Sequence, residues 1–296
     1  MYIDKILDFS LGKYNNIPLW KYMNILLWAN TIGFDDLKME KDFLLTLILI
    51  RFSDVFPDLV FKWGTCLNKI YYPYFRLSED LDFVISASVW REARQKILKQ
   101  YEEDITTEFG RLGLVLQDGR TKYDEHRLAL LSYEYISVID NSVQTIKIDI
   151  SLKWELVLSP VRWQIQSLYR DKILEEAIFG EHDIACIDIR EALAEKIRAA
   201  LTRQIPAIRD FFDIWYVRQT GGFDFDNTEF RNLVESKLQE VEYQYTLDDA
   251  YDILERQIET DLRPVLHEQY DFSLFETYNF VLWYKHTLWS TSTSSR

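Results

Sequence analysis

The chain has 296 residues, 48% of them hydrophobic and 15% aromatic, which is enough apolar material for one large or two modest cores and too much for a disordered polymer. Its 48 acidic residues outnumber 34 basic ones, and the formal net charge of -14 excludes unspecific attraction to nucleic acid as the basis of function. No apolar run approaches the length of a bilayer crossing, the N-terminus lacks the layout of a signal peptide, and Cys66 and Cys186 have no metal-ligand spacing, so the sequence reads as a cytoplasmic protein with reduced thiols and no membrane partner.

Residues 1 to 55 read as helical. Trp20, Met23, Leu26, Leu27 and Ala29 form one approximate stripe, with Pro18 suited to its first turn, and Phe43 to Phe52 form another. This leading segment is expected to cover a sheet. Leu59, Val60 and Phe61 then make a short strand, Gly64 and Thr65 a corner, and a turn of helix leads to a second strand carrying Asp80 and Asp82. Side chains alternate across a strand, so these two aspartates share one face while Leu81 and Phe83 share the other. Paired hard-oxygen donors on a rigid strand suit Mg²⁺ or Mn²⁺, ions that neutralise triphosphate charge. A Gly-Thr corner lets a backbone N–H and a hydroxyl approach phosphates closely. Together they imply metal-assisted transfer of a nucleotidyl group. The same spacing recurs at Asp224/Asp226, Glu102/Asp104 and Glu181/Asp183, where a solvated acidic edge is the plainer reading; only at 80–82 does a glycine corner precede it within an apolar strand-helix-strand pattern.

The run from Lys62 to Phe83, with Gly64, Thr65, Arg76, Ser78, Asp80 and Asp82, resembles the signature of the AbiEii/AbiGii-type nucleotidyltransferases, toxins of bacterial toxin-antitoxin and phage-defence systems within the polymerase-β-like superfamily. That family reads Lys-Gly-Gly-Thr at the corner and Arg-Phe-Ser-x-Asp-x-Asp after it. This chain has Trp63 in place of the first glycine and Leu77 in place of the phenylalanine. The resemblance implies an α+β fold: a polymerase-β-like nucleotidyltransferase domain with a mixed sheet flanked by helices, followed by an all-helical C-terminal domain.

Further along, Ser88 to Phe109 predicts a long polar helix, capped by Ser86 or Ser88 and ended near Gly110, and Leu112 to Leu116 predicts a strand. Leu128 to Ile139 and Val143 to Leu152 predict a hairpin about Asp140-Asn141. In its second strand Ile146, Ile148 and Ile150 alternate with Lys147, Asp149 and Ser151, giving one buried and one polar face. A third carboxylate beside the first two would complete a two-metal site and could take the proton from an attacking hydroxyl. Asp149 is assigned that place, in keeping with the third acid of polymerase-β-like enzymes, against the alternative of a solvent-facing aspartate. Asp140, in the turn, and Glu134 are poorer candidates. Residues 153 to 183 read as a connection containing Pro160, and Ile184 to Ile189 as a short strand. Helices alone follow, which sets the domains at 1–189 and 190–289, with a mobile polar tail at 290–296.

Helix Arg190 to Gln204 buries Leu193, Ile197, Ala200 and Leu201 and leaves Lys196 at the edge of that face, either reaching toward a triphosphate or snorkelling. Helix Ala207 to Arg218 buries Ile208, Phe211, Phe212 and Trp215 and sets Asp210 and Asp213 together on another face, where Arg209 and Asp213 also suit an exposed ion pair. Glu191 to Lys196 and Arg209 to Asp213 resemble two further family motifs that line the active site. Gly221-Gly222 breaks the chain, and Thr228 to Glu242, Leu247 to Leu266 and Ser273 to Leu288 read as the last helices, Asp261 to Pro264 resembling a family turn. Two segments could offer basic patches to RNA, or be solvated faces: Lys196, Arg198, Arg203 and Arg209, and Arg91, Arg94, Lys96 and Lys99.

What the resemblance implies is an enzyme acting on an NTP with Mg²⁺ or Mn²⁺ on Asp80, Asp82 and Asp149. Lys196 and Asp213 join those three as catalytic groups, and Gly64, Thr65, Ser78, Lys196 and Asp210 seat the nucleotide. The implied acceptor is an RNA such as a tRNA 3′ end, and the implied partner a cognate antitoxin. The alternatives are a protein nucleotidylyltransferase and a non-catalytic interaction module that keeps the fold.

Overall fold

The computed structural model describes residues 33–86, 91–117, 122–124, 128–153, 156–170, 178–241, 247, 250–266 and 270–292. The expected stripe from Trp20 to Ala29 and the cap at Ser88 lie outside them. The chain divides into two compact units, Met1–Ile187 and Asp188–Arg296.

The first unit opens with helix α1 (Asp36–Val55), started by Asp35, whose carboxylate accepts from the Lys38 N–H. From Phe43 to Ile50 every residue of α1 is buried, so this apolar run is an interior helix segment. Strand β1 (Leu59–Lys62) runs into a one-turn helix, α2 (Trp63–Cys66), which widens into a π-turn over Leu67–Tyr71. There follow β2 (Asp80–Ser86), α3 (Arg91–Arg111), β3 (Val115–Leu116), β4 (Lys122–Asp124), β5 (Leu128–Ile136), β6 (Val143–Lys153), β7 (Val161–Gln164) and β8 (Asp183–Cys186). Gly113, at φ 76, lets the chain turn back after α3.

These strands form one mixed sheet in the order β3-β5-β6-β2-β1-β8-β7, with β4 paired to β5 beside that path. β2 runs parallel to β6 and β1 parallel to β8, while the remaining pairs are antiparallel. The hairpin from β5 to β6 closes where expected: Asn141 takes φ 61, and the Asp140 carboxylate accepts from the N–H of Ser142 at 2.9 Å.

The apolar face of the sheet supplies the core. Phe83 of β2 lies 5.2 Å, ring to ring, from Phe52 of α1 and 5.5 Å from Phe61 of β1, and Phe109 of α3 lies 4.5 Å from Tyr133 of β5. Each of these phenylalanines is buried and contributes about 1.5 to 3 kcal/mol by leaving water. An ion pair of 2.9 Å between Arg51 and Glu108 ties α1 to α3. Inside, the Lys69 ammonium meets Asp42 at 2.7 Å, Thr46 at 2.9 Å and Tyr74 at 3.2 Å, which locks the π-turn onto α1. A fully buried ammonium is tolerable only with such partners.

The second unit is helical: α4 (Ile189–Thr202), α5 (Ile208–Thr220), α6 (Thr228–Gln239), α7 (Tyr251–Gln257) and α8 (Leu274–Ser292). Asp188 caps α4 and Asn227 caps α6 through their side-chain oxygens, and Gly221 ends α5 at φ 65. The single helix expected over Leu247 to Leu266 is instead α7, a π-turn at Ile258–Leu262 and a 3₁₀ turn at Arg263–Val265. Pro264 has no N–H to continue an α-helix. Helix α8 runs on to Ser292, past the expected end at Leu288. Two aromatic nests fill this unit, one of Phe212, Trp215, Tyr270 and Phe272, the other of Phe223, Phe225, Phe230, Phe280 and Tyr284.

Candidate active site

Alternation puts every second residue of β1, β2 and β6 on the face opposite the core. Cross-strand register then aligns them: Lys62 of β1 stands beside Asp82 of β2, and Asp82 stands beside Asp149 of β6. One row back Asp80 stands beside Lys147, and one row forward Val84 stands beside Ser151. The three aspartates named from the sequence therefore lie on one face of adjacent strands, with two lysines interleaved. Asp82 is buried, whereas Asp80 and Asp149 are half-buried.

The corner is built to hold the start of β2. The Thr65 hydroxyl is buried, hydrogen-bonded with the Ser78 hydroxyl at 2.7 Å and donating to the carbonyl of Asp80. Thr65 and Ser78 thus fix the approach to the aspartates through their own hydroxyls, and Gly64 lies between Thr65 and Trp63. The Arg76 guanidinium of the same motif is buried and donates to the Leu77 carbonyl at 3.0 Å.

Electrostatics on this face are uneven. Burial pushes the Asp149 carboxyl up to about 6, and the charge of Asp80 pushes the same way, while Lys62 and Lys147 pull it down. Lys62 is 7% exposed; its ammonium donates to the Ser151 hydroxyl at 2.9 Å and lies 4.0 Å from the centre of the Trp63 ring. The Ser151 hydroxyl in turn donates to the Phe83 carbonyl at 3.3 Å. From α1, Lys41 approaches the same end of the sheet. Burial lowers its pKa, opposed by Glu79 and Asp80 and reinforced by Lys147 and Lys38.

Lys62, Lys147, Ser151 and Lys41 were not among the residues picked from the sequence. Lys147 and Ser151 belong to the same alternation as Asp149 and were legible there; Lys62 ends a four-residue strand, and Lys41 sits in an interior helix.

The donor set has the chemistry of a divalent-cation site, since all three groups are hard carboxylate oxygens and the raised Asp149 carboxyl is one that a cation would bring back down. As the side chains stand, no three His, Cys, Asp or Glu side chains among the described residues converge tightly enough to hold an ion. The residues fit by type and by strand position.

Lys196, Asp210 and Asp213 belong to the helical unit. The Lys196 ammonium sits between Asp210 and Asp213, 2.7 Å from an oxygen of each, and Arg203 lies 3.2 Å from the other Asp210 oxygen. Asp213 is fully buried, so the exposed pair with Arg209 that its spacing allowed is not its setting. Lys196 is neither a snorkelling lysine nor part of an open basic patch. Arg198 is likewise engaged, 2.7 Å from Glu195, and in the other basic segment Arg94 is buried. A second buried cluster, missed in the sequence, places the Lys237 ammonium of α6 2.5 Å from Glu191, 3.2 Å from Glu195 and 3.3 Å from Glu240.

Among the described residues, no helix is long and apolar enough to cross a membrane. A family model described as nucleotidyl transferase AbiEii toxin, type IV TA system, matches residues 47–277. No curated protein matches in sequence. Among solved structures, one assigned as a nucleotidyltransferase from H. pylori is similar at 17% identity and a TM-score of 0.48, covering 88% of this chain and 99% of that one. The structure of JHP933 from Helicobacter pylori is similar at 18% identity and a TM-score of 0.48, covering 88% of this chain and 97% of that one.

Proposed function

The chain belongs to the AbiEii nucleotidyl transferase toxin family of type IV toxin-antitoxin systems, and from that premise we propose that it transfers nucleotides from an NTP to an RNA acceptor such as a tRNA 3′ end, using Asp80, Asp82 and Asp149. The observation that carries this reading is the cross-strand register that brings Asp149 beside Asp82, on the face that Asp80 shares, next to a glycine corner.

Enzymes of this class generally use an NTP and a divalent metal. Asp80, Asp82 and Asp149 would hold Mg²⁺ or Mn²⁺, which when bound neutralises triphosphate charge and polarises the phosphoryl oxygens. The remaining work falls to the chain itself. Gly64 lets backbone come close to phosphate, and Thr65 and Ser78 hold the corner at a fixed distance from β2. Asp149, on the face that Asp80 and Asp82 share, is also the group assigned to take the proton from an acceptor hydroxyl. Lys196, Asp210 and Asp213 are assigned to placing the nucleotide on the family resemblance alone. A cognate antitoxin follows from the family, and cytoplasmic action from the substrate.

The engaged state of Lys196, Arg198 and Arg203 favours a second reading, in which the acceptor is a protein side chain. One experiment tests both. Purified protein is incubated with total RNA, each labelled NTP in turn and Mg²⁺, beside the Asp80→Ala/Asp82→Ala variant. Label entering RNA only with the wild-type chain supports the first reading, label entering protein supports the second, and equal label with both chains removes the catalytic role of the aspartates.

A further inference from the structure

Trp63 stands where the corner leaves β1, and its backbone takes φ 64, a left-handed conformation that side-chain-bearing residues rarely adopt and glycine adopts freely. A bulky residue persists in such a place when its surroundings hold it there, and these cases gather at sites that bind or react. Here the indole is half-buried and carries the Lys62 ammonium 4.0 Å from its ring centre. The same ammonium donates to Ser151, two residues beyond Asp149 on β6. Lys62 is also the register neighbour of Asp82. The lysine is thus held from two sides, by a ring on its own strand end and by a hydroxyl two strands away, in the row that contains two of the three aspartates.

We propose that Trp63 is a positioning residue whose ring, with the Ser151 hydroxyl, fixes the Lys62 ammonium on the polar face of the sheet, as a built-in positive charge for the polyphosphate of the nucleotide. The proposal rests on the nucleotidyl-transfer reading and adds Lys62, Trp63 and Ser151 to it. A face bearing three carboxylates repels a polyphosphate unless positive charge stands among them. A lysine supplies that charge as a point on a flexible stem, so its usefulness depends on what holds the stem in place. Glycine at position 63 would satisfy the backbone and leave Lys62 without its ring.

The test has two readouts. In protein made with ¹³Cε-labelled lysine, the Lys62 signal, identified by its loss in Lys62→Arg, is expected to be shifted upfield by the ring current. That shift should vanish in Trp63→Gly and survive in Trp63→Phe; an unshifted wild-type signal overturns the clamp. Binding of non-hydrolysable NTP analogues with Mg²⁺ is then measured by titration. Trp63→Gly and Lys62→Met are each expected to weaken binding about ten-fold, Trp63→Phe about two-fold or less, and the double variant no further than Lys62→Met alone. Wild-type affinity in Trp63→Gly, or losses that add in the double variant, overturns the positioning role. If the wild-type chain shows the ring-current shift but binds no analogue, the nucleotidyl-transfer reading fails, and the assignment of Lys62 to polyphosphate fails with it.

Discussion

Asp149 is the residue on which the pH behaviour of the sheet unit should turn. Its carboxyl is raised to about 6, so between its ordinary pKa and that value the folded chain holds a proton that the unfolded chain has lost. Stability from this group is therefore greatest below about pH 4 and is lost as pH rises through about 6. Asp149→Asn should melt higher than wild type at pH 7.5 and match it at pH 4, measured by circular dichroism; a variant that melts lower at pH 7.5 would contradict the electrostatic account. Added Mn²⁺ should raise the wild-type midpoint more than the variant's. At this scale the acids were legible in the sequence, because alternation around Ile148 and Ile150 and around Leu81 and Phe83 assigns each aspartate a face. The left-handed backbone at Trp63 was not, since φ is set by the corner and not by the residue that happens to fill it.

Among the elements, α4 is held by charge on two sides. Its Lys196 is enclosed by two aspartates of α5, and its Glu191 and Glu195 enclose Lys237 of α6. Glu191 and Lys237 are both fully buried. Lys237→Met removes the ammonium that stands 2.5 Å from the buried Glu191 carboxylate, which should cost about 3 to 5 kcal/mol. Lys237→Met combined with Glu191→Gln should restore a large part of that, and a chemical-denaturation series reads the coupling directly. If the single variant is as stable as wild type, the cluster is not structural. The helices carrying these groups were visible as apolar stripes, but a pattern of burial on one helix cannot say which charge on another helix will meet it. Strand β7 was missed although Val161, Arg162, Trp163 and Gln164 do alternate: the run is short and follows Pro160 directly, and what makes it a strand is pairing with β8, about twenty residues later.

At the scale of the whole molecule, the division at Ile187 and Asp188 separates a sheet with its interior helix from a set of helices with their own aromatic interior. The second unit spans residues 188–296, a size at which single domains commonly fold alone. A fragment beginning at Asp188 should give a helical spectrum and a single cooperative thermal transition; a broad, non-cooperative melt would show that the sheet unit is needed for its fold. The sequence puts the change from mixed patterns to helices alone at Arg190, close to this point; the Asp188 cap of α4 was not picked out, because the strand reading ran on to Ile189. The order of strands was not readable, since parallel pairing of β2 with β6 joins segments separated by a long helix and a hairpin.

That pairing has a consequence for how the protein comes into being. Lys62, Asp80 and Asp82 emerge early in synthesis, joined by the local β1 and β2 pairing, whereas their third carboxylate arrives only after α3 and the β5 hairpin arm have been made. A polypeptide broken off anywhere before β6 carries the corner and two acids and lacks the strand that sets the third beside them. A copy of this chain that ends before β6 cannot assemble the row, because the parallel strand that completes it is missing.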